Sequence, residues 1–220
     1  MRWIRFLLVL GAMAVLFSVG QSSVRAEKPV DQLTKAEMAN ALPVSDPAGL
    51  APVPVPGAEG AGGNSPKRVY RLPACDPETA SNNAPCYFVV SGRTDSGAAG
   101  ASGSLGALSF DRNLTCGKTI YSWLGLQLGV LQENVNVSFW NVDGRAPVTM
   151  NWGNMDGTVA TMAGYSWSNL SGPNPNPAWG DRTNNAFATA SGQLNQYLPP
   201  GWFQVYSVNM TIDSNGWYCQ

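Results

Sequence analysis

The sequence predicts an all-β fold, a single antiparallel β-sandwich or jelly-roll-like domain preceded by a signal peptide and a disordered linker. Apolar and polar residues alternate in several short segments, which is the period of half-buried strands. Turn signals rich in Gly, Asn and Asp separate these segments, and no sustained helical periodicity interrupts them. Short strands spaced in this way are typical of β-sandwiches.

The N-terminal residues have the pattern of a secretory signal peptide. Arg2 and Arg5 precede an apolar run over 6–19, and small residues up to Ala26 have the pattern of a cleavage site. We therefore expect a signal peptide at 1–26 that is cleaved after Ala26. The run is shorter than the roughly 20 apolar residues that a membrane-spanning helix needs. We therefore predict a secreted protein or one in the periplasm or at the cell surface, with no transmembrane segment in the mature chain.

Residues 27–67 are rich in Pro, Ala and Gly from Pro43 onward. Such a composition buries too little apolar surface to offset the entropy lost on ordering, which predicts a disordered linker. Within it, Thr34 precedes Glu37 by three residues, the spacing of a capping box, and this predicts a short helix over 34–42. The linker is either a spacer or a segment that docks on a partner.

The four cysteines predict two disulfides, because an even count in an exported chain favours pairing. Three pairings are possible. We expect Cys75–Cys86, which closes a short polar loop, and therefore Cys116–Cys219. The absence of histidine and of any Cys-X-X-Cys motif argues against a zinc site, and the sequence predicts no metal and no cofactor.

The remaining residues, 68–220, carry most of the aromatic side chains and have a length that suits one domain. In the segment NVNVSFW, residues 134–140, apolar and polar side chains alternate. If the apolar positions face the core, Trp140 points outward with the asparagines. Three short segments, NVDG at 141–144, NMDG at 154–157 and DSNG at 213–216, predict hairpin turns, because the further acidic ligands of a calcium loop are missing.

Composition excludes several functions. Without histidine, neither a Ser/His/Asp nor a Cys/His catalytic arrangement is possible. The formal net charge is −1 and no basic patch is present, so we expect no nucleic-acid partner. A carboxylate-dependent glycoside hydrolase remains a minor possibility, with Glu133 as the one carboxylate beside a good strand pattern.

The stretch YSWSNLSGPNPNPAWGD, residues 165–181, combines aromatic rings with amides and prolines. We predict a proline-stiffened loop that either binds a ligand or caps the core. Aromatic faces and paired amide groups suit a neutral ligand, most consistently a glycan or cell-surface polymer. The alternative is a structural subunit of an extracellular layer or appendage that contacts copies of itself. The predicted ligand-binding residues are Trp140, Trp167, Trp179, Asn169, Asn174, Asn176 and Tyr165.

Overall fold

The structure is a computed structural model that describes residues 32–44, 50, 52–55, 63–64, 67–73, 75, 84–95, 109–141, 143–159, 164–197 and 202–220. The predicted signal peptide lies outside these residues. The described part of the chain holds no helix with the length and hydrophobicity that crossing a membrane requires.

The described residues form one short helix and thirteen strands, which confirms the all-β class. In chain order the elements are α1 (Lys35–Ala39), β1 (Leu42–Pro43), β2 (Val53–Val55), β3 (Gly63–Asn64), β4 (Arg68–Arg71), β5 (Pro85–Asp95), β6 (Phe110–Ser122), β7 (Gln127–Phe139), β8 (Val148–Val159), β9 (Tyr165–Asn176), β10 (Arg182–Thr183), β11 (Ala186–Gln196), β12 (Trp202–Asp213) and β13 (Gly216–Cys219).

The strands form two sheets. The eight-stranded sheet has the order β1-β4-β5-β6-β7-β8-β10, with β3 paired to β5, and the five-stranded sheet has the order β2-β13-β12-β11-β9. All pairings between the long strands are antiparallel.

Alternate side chains of both sheets meet in one hydrophobic core. Residues of β7 such as Val135 and Val137 are fully buried there, as are Val208 and Met210 of β12. The alternation predicted for both segments is therefore present, with the apolar positions inward. The disulfides join Cys75 to Cys86 and Cys116 to Cys219, the pairing expected from the sequence, and the second bond links β6 of one sheet to β13 of the other.

Parts of the predicted linker are ordered, contrary to the disordered segment expected from its composition. The helix α1 begins after Thr34, whose hydroxyl accepts a hydrogen bond from the Glu37 amide at 3.2 Å, and the capping box is complete. Further along, Val53 and Val55 of β2 are buried in the core beside β13. The valines at alternate positions of β2 supply apolar surface. The average composition of residues 27–67 does not reveal it.

Residues 165–181 are not mainly a loop. Residues 165–176 form β9, an edge strand of the five-stranded sheet, and β11 is its one partner among the described strands. Prolines are tolerated here because an edge strand has one side with no ladder hydrogen bonds to lose. Of the three predicted hairpin turns, DSNG does connect β12 to β13, and NVDG lies between β7 and β8. The prediction for NMDG is wrong, since 154–157 lies inside β8.

Trp167 closes one end of the core by packing against glycines of three strands. A Cβ atom added at Gly157 would lie 1.7 Å from Trp167 Nε1, and one added at Gly192 would lie 2.2 Å from its Cζ2. The backbone of β8 and of β11 therefore forms the surface on which the indole rests. Any larger residue at these positions would displace the ring.

We expect Gly157→Ala to lower the free energy of unfolding by about 1–3 kcal/mol, the usual cost of overpacking a core. Urea unfolding followed by tryptophan fluorescence measures the change. The control is Gly117→Ala on β6, where the added Cβ would have its nearest neighbour at 3.7 Å. Equal stability of the two variants would show that the indole does not rest on Gly157.

Candidate functional site

The outer face of the eight-stranded sheet is divided between a covered part and an open part. The segment around α1 covers the first part, where Leu33 packs with Val89 and Tyr121 in a small second cluster. The open part lies on β6, β7 and β8. Its outward side chains alternate along each strand with side chains that are buried in the core. The pairing of the strands therefore determines which outward side chains lie next to each other.

Hydrogen-bonded amides cross this open part from strand to strand. Asn136 Nδ2 donates to Asn113 Oδ1 at 2.8 Å, and Asn151 Nδ2 donates to Asn136 Oδ1 at 2.8 Å. Asn151 Nδ2 also donates to Ser138 Oγ at 2.8 Å, and Ser138 Oγ donates to an Asp111 carboxylate oxygen at 2.6 Å. We call these five residues the amide ladder. Its bonds hold the amide planes in fixed orientations.

Trp152 stands at the β8 end of the amide ladder and is 54% exposed. It pairs with Asn136 across β7 and β8, where the register shifts by one residue between Asn136 and Val137. This bulge puts the extra residue, Asn151, on the same face as Trp152. An exposed indole and a row of ordered amides are thereby placed side by side.

A parallel row of polar side chains widens the surface. Thr115 Oγ1 donates to Asn134 Oδ1 at 2.8 Å, and Gln132 Nε2 donates to the same oxygen at 2.9 Å. Asn134 also pairs across the strands with Asn154, which is exposed. The outward direction predicted for the asparagines of NVNVSFW is therefore correct, and these amides line the surface.

Trp140 does lie on the outer face, but its ring is partly buried there. The guanidinium of Arg182 lies 4.6 Å from the ring centroid, and Trp140 Nε1 donates to Thr149 Oγ1 at 2.9 Å. The indole is therefore held by cation–π and hydrogen-bond contacts from β10 and β8. Trp152 is the exposed tryptophan of this face.

The other predicted ligand-binding residues do not form one surface. Tyr165 and Trp167 pack against the core, and burial raises the pKa of Tyr165 to about 12. Asn169 is exposed and accepts a hydrogen bond from Trp167 Nε1 at 2.7 Å, so it positions the partly buried ring.

Asn174 and Asn176 are exposed on β9, in the five-stranded sheet. Trp179 is 37% exposed, and its ring lies where a Cβ at Gly153 would be only 2.9 Å away. Asn174 and Asn176 therefore lie in the other sheet from the amide ladder, whereas Trp179 packs against Gly153 of β8. Their part in binding stays a prediction.

The sequence did carry a signal for Trp152. In NWGNMDG, residues 151–157, Trp152, Asn154 and Asp156 stand at alternate positions, and these are the exposed residues of that segment. The turn predicted for NMDG conflicts with this alternation, so the strand was not predicted there. The bulge that brings Asn151 to the same face has no comparable signature in the sequence.

Glu133, the predicted catalytic candidate, is fully buried between the sheets. Neither of its carboxylate oxygens has a hydrogen-bond partner among the described residues, and desolvation raises its pKa to about 8. Lys118 lies on the neighbouring strand, where its Nζ donates to the Ser207 carbonyl at 2.7 Å. Burial lowers the pKa of Lys118 to about 8. A substrate in solution has no contact with Glu133 in this arrangement.

The chemistry available at the open surface is recognition by contact. Amides offer donors and acceptors in pairs, and an asparagine side chain has more hydrogen-bonding capacity than two ladder bonds use. Across the described residues, no cluster of three or more Cys, Asp or Glu side chains has the arrangement of a metal site.

Comparison with known proteins found no relative. No family model matches the chain, and neither a curated protein nor a solved structure matches it.

Proposed function

We propose that this protein is a secreted, non-catalytic binding domain that holds a neutral glycan or cell-surface polymer on the surface formed by Trp152 and the amide ladder. The observation that carries the proposal is the position of an exposed indole beside amides already ordered by hydrogen bonds. A sugar ring has an apolar face, which stacks on an indole, and hydroxyl groups, which pair with amides.

Order in the free protein favours binding, because little side-chain entropy remains to be lost. Asn136 is held from both sides by Asn113 and Asn151, and Trp152 follows Asn151 directly in the strand. The three asparagines of the amide ladder carry no charge, and its one carboxylate, Asp111, disfavours anions, so the surface suits a neutral ligand better than an anionic one.

Two disulfides support a location outside the cytoplasm, where thiols are oxidised. We further propose that the two sheets form a β-sandwich, because their inward side chains share one core and Cys116–Cys219 joins them. The signal peptide at 1–26 would direct the export.

Pull-down on insoluble polysaccharides tests the proposed binding. We expect the wild-type protein to bind at least one neutral polymer among cellulose, chitin and xylan, and to leave anionic alginate unbound. Trp152→Ala should weaken the binding about tenfold or more, which corresponds to about 1.4 kcal/mol. Asn136→Ala should weaken it less, because other amides of the surface remain.

The matched control is Phe203→Ala, which removes a ring that is 69% exposed on the other sheet. It should bind as the wild type does. A wild-type protein that retains none of these polymers, or a Trp152→Ala variant that binds undiminished, would refute the proposed site.

The glycoside-hydrolase alternative has no support from the position of Glu133, which is buried away from the surface. The alternative of a structural subunit is favoured by a separate surface on the five-stranded sheet.

A further inference from the structure

The outer face of the five-stranded sheet is almost free of charge. Its three long strands, β9, β11 and β12, contain a single charged side chain, Asp213, which is the last residue of β12. Over the rest of the three strands, the outward side chains of this face carry hydroxyl, amide or apolar groups. We call it the charge-free face. Its central row, on the three strands in turn, consists of Ser171, Ser191 and Ser207.

The polar groups of the charge-free face bond to one another across the strands. Ser171 Oγ and Ser191 Oγ are 2.8 Å apart, and Thr189 Oγ1 donates to Asn209 Oδ1 at 2.9 Å. At one end, Asn195 Nδ2 donates to Ser168 Oγ at 3.3 Å. Because these bonds are made within the face, covering it costs less than desolvating unpaired polar groups.

Large apolar side chains stand exposed at both ends of this face. Phe203 is 69% exposed and Val205 50% exposed at one end, beside Tyr197, which is 68% exposed. Phe187 is 43% exposed at the other end, where it pairs with Thr211. Exposed apolar groups rimmed by polar residues mark interaction surfaces in soluble proteins.

We propose that the charge-free face is the interface between two copies of this chain. A second copy presents the same uncharged surface, so no like charges oppose each other when the two faces meet. Apart from Asp213 at the end of β12, the face has no charged side chain that could attract a charged partner. An isologous contact of this kind also covers the exposed rings of both copies at once.

The size of the face predicts a weak association. A strand of 11 residues, such as β11, is about 36 Å long, and three strands are about 14 Å wide, so that two copies would bury about 1,000 Å² in total. This area is at the lower limit for a specific interface, and we expect a dissociation constant in the micromolar range or weaker. The interface lies on the opposite sheet from Trp152 and does not depend on glycan binding.

Sedimentation equilibrium on the full chain, from micromolar to millimolar concentration, tests this inference. We expect the average mass to rise with concentration from monomer toward dimer, with little change between low and high salt. Val205→Lys buries an unpaired charge in the contact and should raise the dissociation constant about tenfold or more. The control is Thr158→Lys, which adds the same charge at an exposed position of β8 and should associate as the wild type does.

Circular dichroism confirms that both variants fold. A wild-type chain that stays monomeric at millimolar concentration overturns the inference, as does a Val205→Lys variant that associates normally. If Val205→Lys instead abolishes polysaccharide binding by a monomer, the face is a ligand site and the inference is also wrong. Trp152→Ala should lose glycan binding and keep the association, which separates this test from that of the proposed function.

Discussion

Replacing Cys116 and Cys219 together by alanine should lower the free energy of unfolding by about 2–5 kcal/mol. The bond joins residues 103 positions apart, so its loss frees a large part of the unfolded chain. It also links β6 to β13, and both sulfur atoms come from residues that are fully buried in the shared core. Apart from the chain connections between them, the two sheets would then be held together by noncovalent packing. Urea unfolding at neutral pH gives the difference.

The comparison for this prediction is the pair Cys75→Ala and Cys86→Ala. That bond closes a separation of only 11 residues, for which loop-closure entropy gives a smaller stabilisation of about 3 kcal/mol, against about 4.7 kcal/mol for a loop of 100 residues. The long-range bond should therefore matter more. The reverse order of the two double variants would show that loop length does not govern their contributions.

Raising the pH from 4.5 toward 8 should destabilise the wild-type protein because of Glu133. The pKa of its carboxyl is raised from 4.5 to about 8 by burial, so the folded state keeps a proton that the unfolded chain releases. The stabilisation is complete below pH 4.5 and is lost as the pH rises through about 8. Each unit of difference between the two pKa values corresponds to about 1.4 kcal/mol, which makes the expected loss several kcal/mol.

Lys118 should act in the opposite direction at higher pH. Burial lowers its pKa from 10.5 to about 8, so its contribution to stability is lost as the pH falls through about 8 and is complete above 10.5. The two groups together predict a minimum of stability near pH 8. Chemical unfolding over a series of pH values locates that minimum.

Glu133→Gln is the variant that isolates the first effect. It preserves the shape of the protonated acid and removes its titration, so the fall in stability between pH 4.5 and 8 should disappear. Asp156→Asn, at an exposed position of the neighbouring strand β8, removes one carboxylate from solvent and should leave the fall unchanged. A fall that persists in Glu133→Gln would have to come from other groups.

Local pattern was enough to predict the strands whose two faces differ. In β7, valine and asparagine alternate over 134–137, so the sequence indicated both the buried side and the outward amides there. Alternation says nothing about what covers an outward side chain. Trp140 points outward as predicted, yet Arg182, which is distant in the chain, lies over its ring.

The errors came from residues that normally end a strand. Prolines in 165–181 predicted a loop, but the sheet places that segment at its edge, where a missing amide hydrogen is harmless. Asp156 and Gly157 predicted a turn, but Gly157 is required inside β8 because Trp167 packs on it. Both outcomes depend on contacts between segments that are distant in the chain. Rules based on neighbouring residues cannot predict such contacts.

The pairing of β2 with β13 has a consequence for how this chain could be divided. Val53 and Val55 complete the five-stranded sheet, and Val55 occupies the space above Gly92. A protease that cut between β2 and β3 would leave β2 attached to the remainder by its backbone hydrogen bonds and buried valines, together with the contacts of β1 and of the segment around α1. The hydrophobic core of this protein therefore includes Val53 and Val55, which lie well ahead of the aromatic-rich region whose composition first marks the domain.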